Sequence, residues 1–123
     1  MFYEQDWILR QISIIIKFIR SLLSKESNVY EQDEEQTVFK EEIEKLIELN
    51  RLKEANSLIV KTSKDKDVLA LGLWFYDLLN DFSDKRLEEG ALAREDILKG
   101  LRTLLYNSDR VDNSVVDIII DKY

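Results

Sequence analysis

Residues 68–79, VLALGLWFYDLL, constrain the fold of this chain more than any other stretch. Val68, Leu69, Leu71, Leu73, Trp74, Phe75, Tyr76, Leu78 and Leu79 fall within about three helical turns. On a helix, at about 100° per residue, they cover roughly 260° of the circumference and leave a narrow polar gap for Asp77, Asn80 and Asp81. A helix that is apolar nearly all round belongs inside a domain or in a membrane. A dozen residues is too short to cross a bilayer, so the interior of a domain is the expectation. A buried strand is the rival reading of any short apolar run. Here the helix-compatible sequence extends from Asp65 and Lys66 through Phe82, which is long for a strand, and its Leu and Ala content favours helix.

The rest of the composition agrees. Pro is absent and Gly occurs three times, too few for the turns of an all-β fold or for a phosphate-cradling loop. There is no Cys for a disulfide or a thiolate metal site, and no His to serve as the usual general base or near-neutral switch. With 123 residues, a single domain covering 1–123 is expected, large enough to fold without staples. A net charge of −7 disfavours generic nucleic-acid binding. Glu4 and Asp6 stand where a signal peptide would be basic, and no apolar run is long enough to span a membrane, so the expected location is cytoplasmic.

Periodicity divides the chain into six or seven helices stacked as antiparallel hairpins. The first runs from about Glu4 to Leu23. A polar connection over 24–36 follows; its acidic half (Glu31, Asp33, Glu34, Glu35) can pair with the basic back of the first helix. Phe39, Ile43, Leu46 and Ile47 mark a second helix. Leu52, Ala55, Leu58 and Ile59 mark a third, with Asn50 as a left-handed cap between the two. After the central helix, Ser83 caps a single turn that ends at Gly90, the expected C′ position. Ile97, Leu98, Leu101, Leu104 and Leu105 mark a helix from about Arg94 to Tyr106. The β-branched segment 114–120 suits helix or strand; in an all-helical chain helix is expected, capped by Asn113 or Ser114. Gly72 and Gly100 lie inside helices, where each costs about 1 kcal/mol relative to Ala, so both predict a close helix–helix approach.

The first helix has the widest claim on a partner. Its apolar residues span about 220° of the wheel, backed by a strip of Arg10, Ser13, Lys17 and Arg20. One neighbour cannot cover so wide a face. Trp7, Ile8, Ile12, Ile15, Phe18, Ile19 and Leu22 are the candidate interaction surface, for a second copy of the chain or another protein. Packing on two sides of the protein's own core is the plainer reading, and docking on an anionic membrane the third; the net negative charge counts against a membrane.

Candidate chemistry is sparse. Asp77 and Asp81 share a helix face, with Asp84 close behind, and three carboxylates can hold Mg²⁺ or Ca²⁺. No EF-hand spacing accompanies them, and a solvated acidic strip is the plainer reading. The aromatic run Trp74, Phe75 and Tyr76, with Trp7 and Tyr3, can line a ligand pocket, though aromatics at helical spacing are more often core. Glu88, Glu89, Glu95 and Asp96 flank a short loop; the last two suit a helix N-terminus. No catalytic, cofactor-binding or metal-binding residue is assigned, and the chain reads as a non-catalytic module.

EKLIELNRLKEANSLI is loosely similar to a tetratricopeptide unit, although Asn50 and Arg51 stand near where that unit has glycine. The opening FYEQDWILRQI, with the long apolar helix ending in LL, resembles the start of a family of small all-helical bacterial proteins. LWFYDLLNDFSDKRLEEGALAREDILKGL resembles the C-terminal half of the same family. The resemblance implies a bacterial, intracellular protein. It carries over no activity and no catalytic residue.

Overall fold

A computed structural model describes residues 2–23 and 34–122, with side chains over 7–23 and 36–118. The described residues form seven α-helices and no strand: α1 (Phe2–Leu23), α2 (Glu34–Glu48), α3 (Leu52–Ser63), α4 (Leu69–Asn80), α5 (Asp84–Glu89), α6 (Arg94–Asn107) and α7 (Asn113–Lys122). The all-α expectation holds, and the β-branched C-terminal segment is helical. Glu31 and Asp33, and the side chains of Tyr3, Glu34 and Glu35, lie outside what is described.

The 68–79 stretch is α4 with its cap, and it is buried as its apolar circumference requires. Leu69, Leu71, Leu73, Phe75, Tyr76 and Leu79 are all interior. Trp74 is half-buried against the core, with the Lys40 ammonium 4.7 Å from its ring centroid. Yet the helix with most neighbours is α6, which packs on α1, α3, α4 and α7; α4 lies against α1 and α6. The centre of the molecule is therefore the α4–α6 pair. Helix α2 joins it through the α2–α3 hairpin.

Two glycines let that pair close. A Cβ on Gly72 would overlap the Leu104 side chain. A Cβ on Gly100 would run into the Tyr76 hydroxyl and lie 2.7 Å from the Asn56 carboxamide oxygen. That oxygen accepts the Tyr76 O–H at 2.7 Å, so Gly100 makes room for the one polar contact the buried tyrosine needs. Phe75 meets the Tyr76 ring edge-on, with centroids 5.2 Å apart.

The helix ends follow local chemistry, with two shifts from expectation. Asn50 takes φ 56°, and the Asn50 and Arg51 amides donate to the Ile47 and Leu46 carbonyls, closing α2 as expected. Ser83 caps α5 by accepting the Arg86 N–H at 3.2 Å. At the far end of α5, Gly90 is not the left-handed residue: its φ is −85°, and Ala91 takes φ 59°. Gly90 answers a different need. A Cβ there would stand 2.6 Å from Leu52 Cγ, and its carbonyl accepts the Lys53 N–H. Packing against buried Leu52 displaces the left-handed position by one residue. The cap of α7 also shifts, to Asp112, whose carboxylate accepts the Ser114 N–H at 2.9 Å and the Ser114 hydroxyl at 2.8 Å. The Ser114 N–H first, and its hydroxyl second, hold the Asp112 carboxyl below the ordinary aspartate value.

Opposite effects are expected from two small substitutions followed by urea unfolding. Gly100→Ala lowers stability by about 1–2 kcal/mol, because overpacking against Tyr76 outweighs the gain in helix propensity. Ala91→Gly raises it by about 1 kcal/mol by relieving the left-handed alanine.

Burial pushes the Tyr76 hydroxyl above its ordinary value of 10.0. The phenolate would lose its hydration there. Stability from this group is complete below the unfolded-state value and is lost as pH rises beyond it, because the unfolded chain ionises first. The urea midpoint of the wild type should fall more steeply than that of Tyr76→Phe between about pH 8 and about pH 11.

Candidate functional site

The interaction surface expected on α1 is split by the structure. Ile8, Ile12, Ile15 and Ile19 are interior, packed into the core with Ile16 and Leu23. Leu22 is half-buried against the same core. Trp7 and Phe18 face out, 60% and 43% exposed, and Ile14 joins them at 42%. At about 100° per residue these three fall within about 40° of arc, on one stripe about 16 Å long. Arg10 and Lys17, both exposed, run along one edge of it. Gln11 lies along the other edge, buried, and its carboxamide oxygen has no hydrogen-bond partner among the described residues.

The breadth of the apolar arc explains the split. Half of it meets α4 and α6, and the remainder reaches solvent. Helix periodicity locates the arc but not the line where the neighbours stop. Ile14, which the expected surface omits, is the residue that makes the outward stripe continuous.

The carboxylate constellation does not assemble. Asp77 is 3.0 Å from the Arg20 guanidinium, an exposed pair linking α4 to α1. Asp81 is exposed, and Asp84 is 2.9 Å from Arg94. Among the described residues no group of three or more acidic side chains is placed to hold a metal ion. Among the described aromatics, Phe75 and Tyr76 are core, Trp74 is half-buried against it, and Trp7 stands on the outer face of α1. A shallow depression of about 430 Å³ lies at the α5–α6 junction, lined by Asp84, Glu88, Glu95 and Asp96 among others. Its walls are helix-terminal side chains with structural work: the Asp96 carboxylate accepts the Ala93 N–H at 2.9 Å and so starts α6.

Beside that depression lies a residue that periodicity passes over. Arg94 is 7% exposed. Its guanidinium donates to the Asn80 carbonyl at 3.0 Å, the Phe82 carbonyl at 2.7 Å and the Asp84 carboxylate at 2.9 Å. The Asn80 side chain in turn donates to the Leu9 carbonyl of α1 at 3.1 Å. A cation at the C-terminal end of α4 meets both its last carbonyl and its dipole. The cluster ties four helices at one end of the molecule. Each of the three guanidinium nitrogens donates within the protein, which reads as a fastening of the helices.

With the geometry assembled, the comparison with known proteins bears on residues 2–108, the span matched by a family model described as a family of unknown function, DUF6483. The chain belongs to the DUF6483 family. No curated protein and no solved structure matches it. The matched span holds α1 through α6, including the outward stripe and the Arg94 cluster, and leaves α7 outside. This DUF6483 protein thus combines a packed apolar core with an apolar stripe on its first helix.

Two charge removals separate fastening from decoration. Arg94→Ala should lower stability by about 3 kcal/mol, because it strands buried carbonyls and unpairs Asp84. Asp77→Asn should change it by less than about 1 kcal/mol, as befits an exposed pair. Chemical unfolding of the two variants beside the wild type checks both.

Proposed function

We propose that this DUF6483 protein is a non-catalytic interaction module that self-associates through the outward stripe of α1. The observation that carries the reading is the alignment of Trp7, Ile14 and Phe18 on one exposed line of a helix whose opposite side is core. Tryptophan in particular is enriched where binding energy concentrates at interfaces. An exposed tryptophan with two further large apolar groups on one stripe is the type of surface that marks a contact site. The resemblance of FYEQDWILRQI and of the 73–101 segment to small all-helical bacterial proteins supports a bacterial, cytoplasmic setting, and the α2–α3 hairpin is the part that a tetratricopeptide-like relationship would rest on. No helix of the described residues is long and apolar enough to cross a membrane.

Sedimentation velocity over a wide concentration range tests the reading. The wild type should shift to a larger species as concentration rises, and Trp7→Ser with Phe18→Ser should stay monomeric with an unchanged melting temperature. A wild type that stays monomeric throughout overturns it. Flotation with vesicles rich in an anionic lipid provides the second arm: binding that salt abolishes would reassign the stripe to a membrane surface.

A further inference from the structure

Trp7, Gln11, Ile14 and Phe18 follow one another at intervals of four, three and four residues, the spacing of a seam between two helices. About the midline of the outward stripe α1 is lopsided. Gln11 lies about 40° to one side, and beyond it come buried Ile15 and Ile8, so the body of the protein adjoins this edge. Arg10 and Lys17 lie about 60–80° to the other side, both exposed, and lead round to exposed Arg20.

A two-fold pairing of the stripe with itself can run in either sense, and the two edges respond differently. In an antiparallel pair, like edges fall on the same side. Trp7 is then level with the partner's Phe18, and Ile14 with the partner's Gln11. Arg10 and Lys17 stand against the partner's Lys17 and Arg10, a like-charge contact that costs affinity. In a parallel pair, like edges fall on opposite sides, and Trp7, Ile14 and Phe18 each meet their own copy. The basic edge of one chain then faces the Gln11 edge of the other, where the body of a partner with a net charge of −7 rises beside it. Arg10 arrives there about 1.5 Å in height from the partner's Gln11, whose carboxamide oxygen has no donor among the described residues of its own chain.

We infer that the occupant of the α1 stripe is α1 of a second copy of this chain, parallel and in register, so that the interface is isologous and closes at a dimer. The inference rests on the self-association proposed above and fixes its sense. A polar residue at one position of a parallel seam specifies register, and Gln11 is placed to do so. Phe18 lies on the side where the partner's Lys17 arrives, which brings a cation to the level of a ring.

The chain has no cysteine of its own, so one introduced thiol reports the sense of pairing on the full chain. Ser21 is exposed and continues the seven-residue interval of Trp7 and Ile14. In the parallel pair the two copies of this position stand level across the seam, close enough for a disulfide; in the antiparallel pair they stand about 25 Å apart. Ser21→Cys, at a concentration where the wild type is associated, should form a disulfide-linked dimer under mild oxidation, with the melting temperature of the reduced form unchanged. A variant carrying Arg10→Gln and Lys17→Gln gives a second readout. It should associate about fivefold more weakly than the wild type, because attraction to the partner's body is lost, whereas an antiparallel pair relieved of its like charges would tighten. If the wild type self-associates but Ser21→Cys does not cross-link, or if the neutralised variant tightens, the parallel pairing falls while self-association through α1 stands. If the wild type is monomeric at every concentration, both fall.

Discussion

One guanidinium holds this fold to a single arrangement at its crowded end. Arg94 sits where α4, α5 and α6 converge, and its buried charge would be costly if any partner were missing. None is: the Asn80 and Phe82 carbonyls and the Asp84 carboxylate all accept from it. The same contacts explain why α4 stops where it does. Carbonyls at a helix end must find donors, and here one side chain from the start of α6 serves the last α4 carbonyl, Asn80, and the Phe82 carbonyl just beyond it. Through Asn80 the constraint passes on to Leu9, so the first helix is anchored by a hydrogen bond as well as by its isoleucines.

With that end pinned, the remaining freedom lies in how closely the helices approach, and small residues decide it. Gly72 admits Leu104 between α4 and α6. Gly100 admits the Tyr76 hydroxyl and Asn56, so the interior keeps a hydrogen-bonded tyrosine in place of a void or an unpaired oxygen. Gly90 admits Leu52, and Ala91 bears the left-handed backbone as a consequence. At each of the three points a missing methyl group allows a large neighbouring side chain to be fully covered.

Much of this architecture was legible in the amino-acid order, and the parts that were not share a cause. The nearly all-round apolar 68–79 stretch announced a buried helix, and the i, i+4, i+7, i+8 spacing of Phe39, Ile43, Leu46 and Ile47 announced one half of a hairpin. The glycines inside α4 and α6 announced close approach. What escaped depends on partners far away in sequence. Gly90 looked like a left-handed cap until Leu52 was placed against it. Asp77 read as part of a solvated acidic strip, and nothing in the spacing pointed to Arg20 as its partner. Arg94 left one faint trace: a cation in the first turn of a helix opposes the dipole, so its presence there asks for a compensating partner. The candidate surface was half legible. Seven residues of α1 shared one broad arc, and only the positions of α4 and α6 could separate Ile8, Ile12, Ile15 and Ile19 from Trp7 and Phe18.

The division of α1 matters for function because its inner side already satisfies folding. The isoleucines fill the core, and Arg20 is matched by Asp77. Nothing in the packing of the described residues requires an aromatic side chain at Trp7 or Phe18, or a large aliphatic one at Ile14; polar residues there would serve the folded monomer as well and would bind water better. Basic side chains along that line set it apart electrostatically from a chain whose net charge is −7. An apolar line edged in one sign of charge, on a protein mostly of the other sign, attracts surfaces like the rest of that protein.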